Sequence, residues 1–312
     1  MGGFIGGWVG RTRRGVLVVL GWMAWFLLPP PAGGEEPPTR RLVVIGSLVD
    51  RSPRQDELVG QIERLTRGLS RRLAIPDDRV HVWVGDEEQA GRLGESGIDA
   101  AVADRDRLTV APESWRRTDQ VWLFLMGYAS TDFGDYRFHL GGPDWDGAAI
   151  GGWVDSLHTT RTVIWLLTPG SGAMVRPLSG PDRVIFAATE SAQQINGVRL
   201  TEPLSALIDG GDPIPDRDGD GRSTAMDWFI AAADENLQRH ASLDLMLSEH
   251  ALVEDSGDGR GEPVHLSHID IPDIGETDPQ PVDIRVPPRT TEDGALAAEL
   301  IFGVPDRRGS GP

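Results

Sequence analysis

Residues 163–172 read VIWLLTPGSG, an apolar run that stops at a threonine and a proline and continues into a loop of small residues. Because apolar and polar residues do not alternate along it, the run predicts a strand buried on both faces, as in the centre of a parallel sheet. In open sheets of this kind, ligands gather beyond the carboxyl ends of the strands. The loop from Thr168 to Gly172 is therefore a candidate for functional chemistry, although Pro169 carries no reactive group.

Similar apolar runs before and after this stretch predict the rest of the sheet. Strands are expected within residues 40–50, 79–85, 120–130 and 182–191. Segments with helical spacing of apolar residues predict helices within residues 55–73, 151–159, 174–180, 198–210 and 224–241. The first strand, the first helix and the second strand form a βαβ unit, whose strands are expected to be parallel. The sequence thus predicts an α/β protein with a mostly parallel central sheet and helices on both faces.

The composition limits the classes of partner and of chemistry. The chain has 312 residues and a formal net charge of −18, and all its basic side chains apart from histidine are arginines. Nucleic acid is not expected as a partner, because a phosphate backbone binds basic surfaces. The sequence contains no cysteine, which excludes disulfides, thiolate metal sites and a cysteine nucleophile.

Residues 1–34 are expected to be a signal peptide or an N-terminal membrane anchor. Three arginines precede a 14-residue apolar run at 15–28, which is followed by small residues near Ala32. A membrane-spanning helix needs about 20 residues, so the shorter apolar run favours a signal peptide over a membrane span. The protein is expected to be periplasmic or extracellular, or anchored by this segment, which is its only expected contact with a membrane.

The remaining chain divides by composition at residue 250. Residues 35–250 carry the predicted strands and helices and form the expected α/β domain. Residues 251–312 are acidic and rich in proline and glycine, which predicts a partly disordered tail with one short helix within 292–304. The turn EDSGDGRG at 254–261 is expected to be solvated.

Two blocks of the predicted domain resemble the caspase and legumain-like clan of cysteine peptidases, in which one strand ends in Gly-His-Gly and the next central strand in Cys-x-Ser-Gly. DQVWLFLMGYAS at 119–130 has Tyr128 in the histidine position, and LLTPGSG at 166–172 has Pro169 in the cysteine position. Ser171 and Gly172 are retained. The resemblance covers roughly residues 40–262 and implies a caspase-like three-layer sandwich.

The two replacements imply that the peptidase reaction is lost. In this clan the histidine activates the cysteine, whose thiolate attacks the scissile carbonyl. Tyr128 is a poor general base, because the pKa of tyrosine is about 10, and Pro169 has no nucleophile. The resemblance therefore implies a catalytically inactive pseudopeptidase that binds a peptide or protein, or serves as a regulatory module.

A serine-dependent hydrolase is the alternative from the enzyme class. Ser171 and Ser130 each follow a replaced position by two residues. A serine nucleophile needs a positioned base, for which His139, His158 and Asp155 are the candidates. In a purely structural interpretation, Ser171 caps the helix after the loop.

The stretch DRDGDGRSTAMD at 216–227 has the spacing of an EF-hand-like calcium loop. Carboxylates at positions 1, 3 and 5 converge on the ion, a glycine at position 6 permits the turn, and positions 7, 9 and 12 complete the set. The candidate ligands of a Ca²⁺ ion are Asp216, Asp218, Asp220, Arg222 through its carbonyl, Thr224 and Asp227. Such a site would suit a calcium-dependent extracytoplasmic scaffold, and the alternative is an acidic turn that caps the helix at 224–241.

Overall fold

The structure is a computed structural model that describes residues 39–48, 53–108, 115, 120–132, 134–210, 215–217, 220–264 and 293–303. The predicted signal peptide or anchor, Asp218 of the acidic loop and most of the predicted tail lie outside these residues. Within the described ranges, no helix combines the length and the apolar character needed to cross a bilayer.

The described strands form one large sheet and two small ones. In chain order they are β1 (Arg40–Gly46), β2 (Val80–Val84), β3 (Ala100–Val102), β4 (Gln120–Met126), β5 (Ala129–Asp132), β6 (Asp135–Phe138), β7 (Trp145–Asp146), β8 (Arg161–Leu167), β9 (Arg183–Ala187), β10 (Ser223–Thr224), β11 (Leu252–Glu254), β12 (Glu262–Pro263) and β13 (Ile301–Gly303). The large sheet has eight strands in the order β12-β11-β9-β8-β4-β1-β2-β3. The small sheets have the orders β5-β6-β7 and β10-β13.

The centre of the large sheet is parallel, as the continuous apolar runs predict. All neighbouring strands from β3 to β9 pair in parallel, and β11 and β12 add an antiparallel edge. The register aligns Val44, Phe124, Trp165 and Phe186 in one row across four strands. These residues are fully buried, which explains why their strands show no polar alternation.

Helices cover both faces of this sheet. They are α1 (Pro53–Arg72), α2 (Glu87–Glu95), α3 (Arg105–Leu108), α4 (Gly147–Asp155), α5 (Val175–Leu178), α6 (Thr201–Gly210) and α7 (Ala225–Ser242). Apolar residues of α1, α2, α6 and α7 pack on one face, and those of α3, α4 and α5 pack on the other. The prediction of a mostly parallel α/β fold with helices on both faces is confirmed.

The sheet continues past residue 250, where the sequence predicts the end of the α/β domain. β11 pairs with β9, and β12 pairs with β11. Further on, Ala297–Glu299 form a 3-10 turn and β13 pairs with β10, where the sequence predicts one short helix. Leu252 and Leu300 are buried in the core, so these segments belong to the folded domain.

Candidate functional site

A cavity of about 750 Å³ opens at the carboxyl ends of the central strands. Gly127 and Tyr128, directly after β4, line it together with Leu167 and Pro169 at the end of β8. The two positions that the resemblance assigns to the catalytic pair therefore border one cavity. The structure brings them together because β4 and β8 are adjacent parallel strands in register.

Tyr128 is held in the cavity by its backbone and its hydroxyl. Its backbone N–H donates to the buried Ser47 Oγ at 2.6 Å, and Arg54 Nη1 donates to its phenolic oxygen. Gly127 has a φ of 108°, and a Cβ there would lie 2.4 Å from Ser47 Oγ. The chain therefore needs glycine before Tyr128, because the turn requires both a left-handed backbone and contact with Ser47.

The loop after β8 is packed too closely to expose its serine. Ser171 is fully buried, and its Oγ lies 3.0 Å from Thr189 Oγ1 and accepts the backbone N–H of Thr189 at 3.0 Å. A Cβ on Gly172 would lie 2.2 Å from the carbonyl carbon of Glu190. Ser171 does not cap the turn at 171–174, whose N-cap is Gly170. The small residues of this loop thus serve its close packing against residues 189–191.

The other residues of the serine-hydrolase hypothesis do not line the cavity. Ser130 is on β5 opposite Arg137, and His139 Nδ1 lies 3.2 Å from Asp144 Oδ1. His158 is exposed after α4, and Asp155 pairs with Arg183 at 2.6 Å. Within the described part of the chain, no hydrogen bond joins His139 or His158 to Ser171 or Ser130. Asp155 is likewise paired with Arg183 and not with either serine.

One wall of the cavity is the first turns of α1, and the other is built from two loops. The α1 wall carries Arg54, Glu57, Leu58 and Gln61. The second wall, here called the loop wall, consists of residues 196–199 with the start of α6 (Thr201 and Glu202) and of residues 245–248, with His240 of α7 beside them. The two segments of the loop wall are far apart in sequence and meet only in the tertiary structure.

A buried carboxylate, Glu249, joins the two segments of the loop wall. Its oxygens accept the backbone N–H of Arg199 at 3.0 Å and of Leu200 at 3.4 Å. Asn236 Nδ2 donates to Oε1 at 2.9 Å, and His240 Nε2 lies 4.0 Å from the same oxygen. Burial raises the pKa of Glu249, while these hydrogen bonds act in the opposite direction. Glu249 is not predictable as a site residue from the sequence, because a glutamate in an irregular segment carries no local signal of burial.

The loop wall also carries exposed apolar side chains. Met246 is 90% exposed and Leu245 is 44% exposed, and both line the cavity. Ile195 and Leu243 are also exposed; Ile195 directly precedes the first segment, and Leu243 lies two residues before the second. Within the described residues, these four are the exposed large hydrophobics, and each lies in or within two residues of a segment of this wall.

The acidic loop lies at the other end of α7. Asp216 Oδ2 accepts the backbone N–H of Gly221 at 3.0 Å, while Asp216 Oδ1 is buried without a partner. Asp220 Oδ1 accepts the N–H of Arg222 at 2.8 Å. Asp218 lies outside the described residues, and within them no group of three acidic or imidazole side chains is arranged to hold a metal.

Thr224 and Asp227 form a capping box at the start of α7. Asp227 Oδ2 accepts the backbone N–H of Thr224 at 2.8 Å, and Thr224 Oγ1 accepts the N–H of Asp227 at 3.3 Å. Asp227 Oδ1 also accepts the N–H of Arg217 at 2.8 Å. Two of the candidate Ca²⁺ ligands, Thr224 and Asp227, therefore cap the helix.

Three more carboxylates are buried together where the sequence predicts a solvated turn. Asp255 accepts the N–H groups of Gly294 and Ala297 at 2.7 and 2.8 Å, and Asp293 accepts that of Asp255 at 3.1 Å. Glu254 is fully buried and one of its oxygens has no partner. Burial raises the pKa of Glu254 and of Asp255, and the nearby Asp293 raises both further. The prediction of a solvated turn is therefore wrong for Glu254 and Asp255, since backbone donors from residues 257–259 and 294–297 enclose them.

The comparison with known proteins leaves the family open. The sequence matches no protein-family model and no curated protein. The function is therefore argued from the cavity and its residues.

Proposed function

We propose that this chain is a catalytically inactive, caspase-like pseudopeptidase whose cavity binds a peptide or a segment of a partner protein. The observation that carries the proposal is that Tyr128 and Pro169 line one cavity at the carboxyl ends of adjacent strands. This is where the resemblance expects a histidine and a cysteine to face each other. Neither replacement can supply the nucleophile, and the sequence has no cysteine elsewhere.

The form of the cavity supports a binding role. Its volume of about 750 Å³ falls within the range of ligand sites, which is about 300–1,000 Å³. Apolar side chains from both walls and from the strand ends, such as Leu167, lie beside charged ones. The charged residues are Arg54, Glu57, Arg199 and Glu202. A mixed lining of this kind suits a peptide, which presents apolar side chains together with polar backbone groups.

Restoring the two replaced residues tests whether the cavity has peptidase geometry. Because the sequence has no cysteine, Pro169→Cys introduces a single thiol, whose alkylation by iodoacetamide can be followed against pH. In the double variant Tyr128→His/Pro169→Cys, a protonated imidazole close to the thiol should lower the pKa of Cys. The expected result is faster alkylation near neutral pH in the double variant than in Pro169→Cys alone.

The matched control carries the same histidine with a distant thiol, as in Tyr128→His/Ser156→Cys, where Ser156 ends α4. Its alkylation profile should match that of Ser156→Cys alone. Identical profiles for Pro169→Cys with and without His at 128 would contradict the proposed juxtaposition, provided that both variants melt cooperatively.

Hydrolysis is the direct test of the lost activity. The purified protein should not cleave a mixed peptide library, as read by mass spectrometry. Cleavage that is blocked by a serine-directed reagent and abolished by Ser171→Ala or Ser130→Ala would instead establish the serine-hydrolase alternative.

We further propose that the acidic loop binds Ca²⁺ at its Asp216 end. The buried oxygen of Asp216 without a partner supports this proposal, because a buried carboxylate oxygen ordinarily has a donor or a cation beside it. Asp216, Asp218, Asp220 and the Arg222 carbonyl are the proposed ligands, whereas Thr224 and Asp227 cap α7. A bound Ca²⁺ ion would offset the repulsion among the carboxylates of the loop and so stabilise it. Such a role suits an extracytoplasmic scaffold.

Calorimetry and thermal melting test this site. Millimolar Ca²⁺, the range of extracellular calcium modules, should raise Tm and give a binding heat. Asp216→Asn should remove both effects, whereas Asp258→Asn, in the turn at 254–261, should keep them. Equal responses of the two variants to Ca²⁺ would contradict the assignment to this loop.

A further inference from the structure

Arg199 is a charged side chain of the cavity whose guanidinium has no partner among the described residues. Its backbone N–H is bound to Glu249, but no hydrogen bond or ion pair of the described structure uses its guanidinium. The other charged groups of the lining differ in this respect. Arg54 donates to Tyr128, Glu57 accepts from Gln61 at 3.2 Å, and Glu202 pairs with Arg239 at 2.7 Å. Arg199 is thus an available cation in a protein whose net charge is −18.

Backbone donors next to Arg199 are also unused. Asn196, Gly197 and Val198 line the cavity, and no hydrogen bond within the described ranges uses their N–H groups. A guanidinium beside free backbone N–H groups is a combination that binds a carboxylate. One free guanidinium matches one carboxylate, whereas a phosphate dianion would meet Glu57 and Glu202 in the same cavity with less compensation.

The exposed apolar surface stands in the same wall as these donors. Leu245 and Met246 line the cavity from the second segment of the loop wall, which Glu249 fixes to Arg199 and Leu200. A ligand that satisfies both features therefore needs an apolar side chain close to a single carboxylate. The last residue of a polypeptide carries its own side chain and its α-carboxylate on one Cα atom, which is the closest spacing that a peptide can offer.

We propose that the cavity captures the carboxyl terminus of a partner polypeptide that ends in a large apolar residue. Arg199 and the N–H groups of residues 196–198 bind the α-carboxylate, and Leu245 and Met246 contact the last side chain. This inference rests on the proposed peptide-binding function and specifies its ligand class. The high net negative charge disfavours polyacidic partners, so the rest of the partner segment is neutral or basic.

The test measures fluorescence anisotropy with three fluorescein-labelled heptapeptides and the full chain. The first is GSGSAVL as the free acid, the second is the same peptide as its carboxamide, and the third is GSGSAEL as the carboxamide, which keeps one carboxylate away from the terminus. The free acid should bind about ten- to hundredfold more tightly than either carboxamide, because it alone makes the charged hydrogen bonds. Equal affinity of the free acid and its carboxamide, tightest binding of the third peptide, or binding of none of them would overturn the proposal.

Two variants and one control assign the effect to named residues. Arg199→Gln should remove the preference for the free acid while its backbone bond to Glu249 remains. Met246→Ser should weaken the binding of both GSGSAVL peptides by a similar factor and leave the acid-to-amide ratio unchanged. Arg260→Gln, an exposed arginine that does not line the cavity, should change neither. An acid preference that persists in Arg199→Gln overturns the assignment.

The outcome is separable from that of the proposed function. Failure of the terminal-carboxylate preference leaves the thiol titration of Cys at position 169 as an independent measure of the cavity. Conversely, a thiol unaffected by His at 128 would contradict the peptidase-like geometry even if the free acid bound tightly.

Discussion

Two buried glutamates stand at opposite ends of the short strand β11, and they hold two different kinds of region. Glu249 lies just before the strand and accepts backbone N–H groups from the loop wall of the cavity. Glu254 ends the strand and accepts those of Gly257 and Gly259, with Asp255 and Asp293 beside it. Because β11 is antiparallel to β9, the first lies at the carboxyl ends of the central strands and the second toward their amino ends.

The difference lies in what remains unused around each glutamate. At the amino ends, carboxylates accept backbone N–H groups from both segments that meet there. The donors are Asp255, Ser256, Gly257, Gly259, Gly294 and Ala297. At the carboxyl ends, Glu249 accepts the backbone N–H groups of Arg199 and Leu200. Within the described residues, no hydrogen bond uses the N–H groups of residues 196–198, which lie beside exposed apolar side chains. A buried carboxylate that accepts backbone N–H groups is thus found at both ends of the sheet. At the amino ends it lies in a packed region, and at the carboxyl ends it supports the wall of an open cavity.

Removing the shared core should disrupt both regions at once and give the largest effect. Trp165 lies 4.1 Å from Phe186 between ring centroids and also contacts Phe124 and Phe229. Trp165→Ala should lower the free energy of unfolding by about 3–5 kcal/mol, because it leaves a large cavity. Denaturant titration measures the loss, and Met246→Ala, at a 90% exposed position, is the control. A loss below that of the control would show that the sheet centre does not carry the fold.

A larger side chain in the loop after β8 should destabilise the region around the cavity more than the region at the amino ends of the strands. A Cβ on Gly172 would lie within 2.4 Å of three backbone atoms of Glu190 and Ser191. Gly172→Ala should therefore cost about 3 kcal/mol, at the upper end of overpacking effects, since a backbone cannot yield as a side chain does.

Gly152→Ala is the matched control for this substitution. A Cβ there meets nothing within 4 Å and lies inside α4, so this variant should be neutral or slightly stabilising. Thermal melting compares the two, and hydrogen exchange should show faster opening of residues 190–198 only in Gly172→Ala. Equal Tm values would contradict the close approach.

Removing the Glu249 carboxylate should destabilise the loop wall and leave the region around Glu254 unchanged. Glu249→Ala leaves the N–H groups of Arg199 and Leu200 and the Asn236 amide without their acceptor. The expected cost is about 2 kcal/mol, typical of buried donors left unsatisfied. Hydrogen exchange should accelerate at residues 196–200 and remain unchanged at residues 294–297. Equal acceleration at both sites would show that the two regions unfold together.

The smallest effect is a pH dependence located at the amino-terminal edge. Because burial raises the folded-state pKa of Glu254 above its unfolded value, its contribution to stability is complete below the unfolded pKa and is lost as the pH rises through the folded-state pKa. Each unit of pKa elevation corresponds to about 1.4 kcal/mol. Glu254→Gln removes this titration, so its Tm should fall less than that of the wild type between pH 5 and about pH 8. Parallel Tm curves would contradict the raised pKa.

The large elements of the fold were predictable, whereas the small ones were not. Strands β1, β4, β8 and β9 carry continuous apolar runs, and α1 and α7 carry helical periodicity over 20 and 18 residues. Strands β11 and β12 have three and two residues and no periodic signal, so the domain boundary that the sequence predicts lies before them. Similarly, the strands β5, β6 and β7 of the small sheet have four, four and two residues, which is too short for a clear periodic signal.

The sequence by itself determined the parallel sheet and the loops at its carboxyl edge, because uninterrupted apolar runs have few other ways to be buried. It also determined that no thiol is present at position 169 or elsewhere. Only the tertiary structure decided which polar groups are used. Glu249 meets its donor 50 residues away in the chain, and Asp293 meets Asp255 from 38 residues away. Burial of a carboxylate depends on donors that folding brings from distant segments, and no local pattern records them.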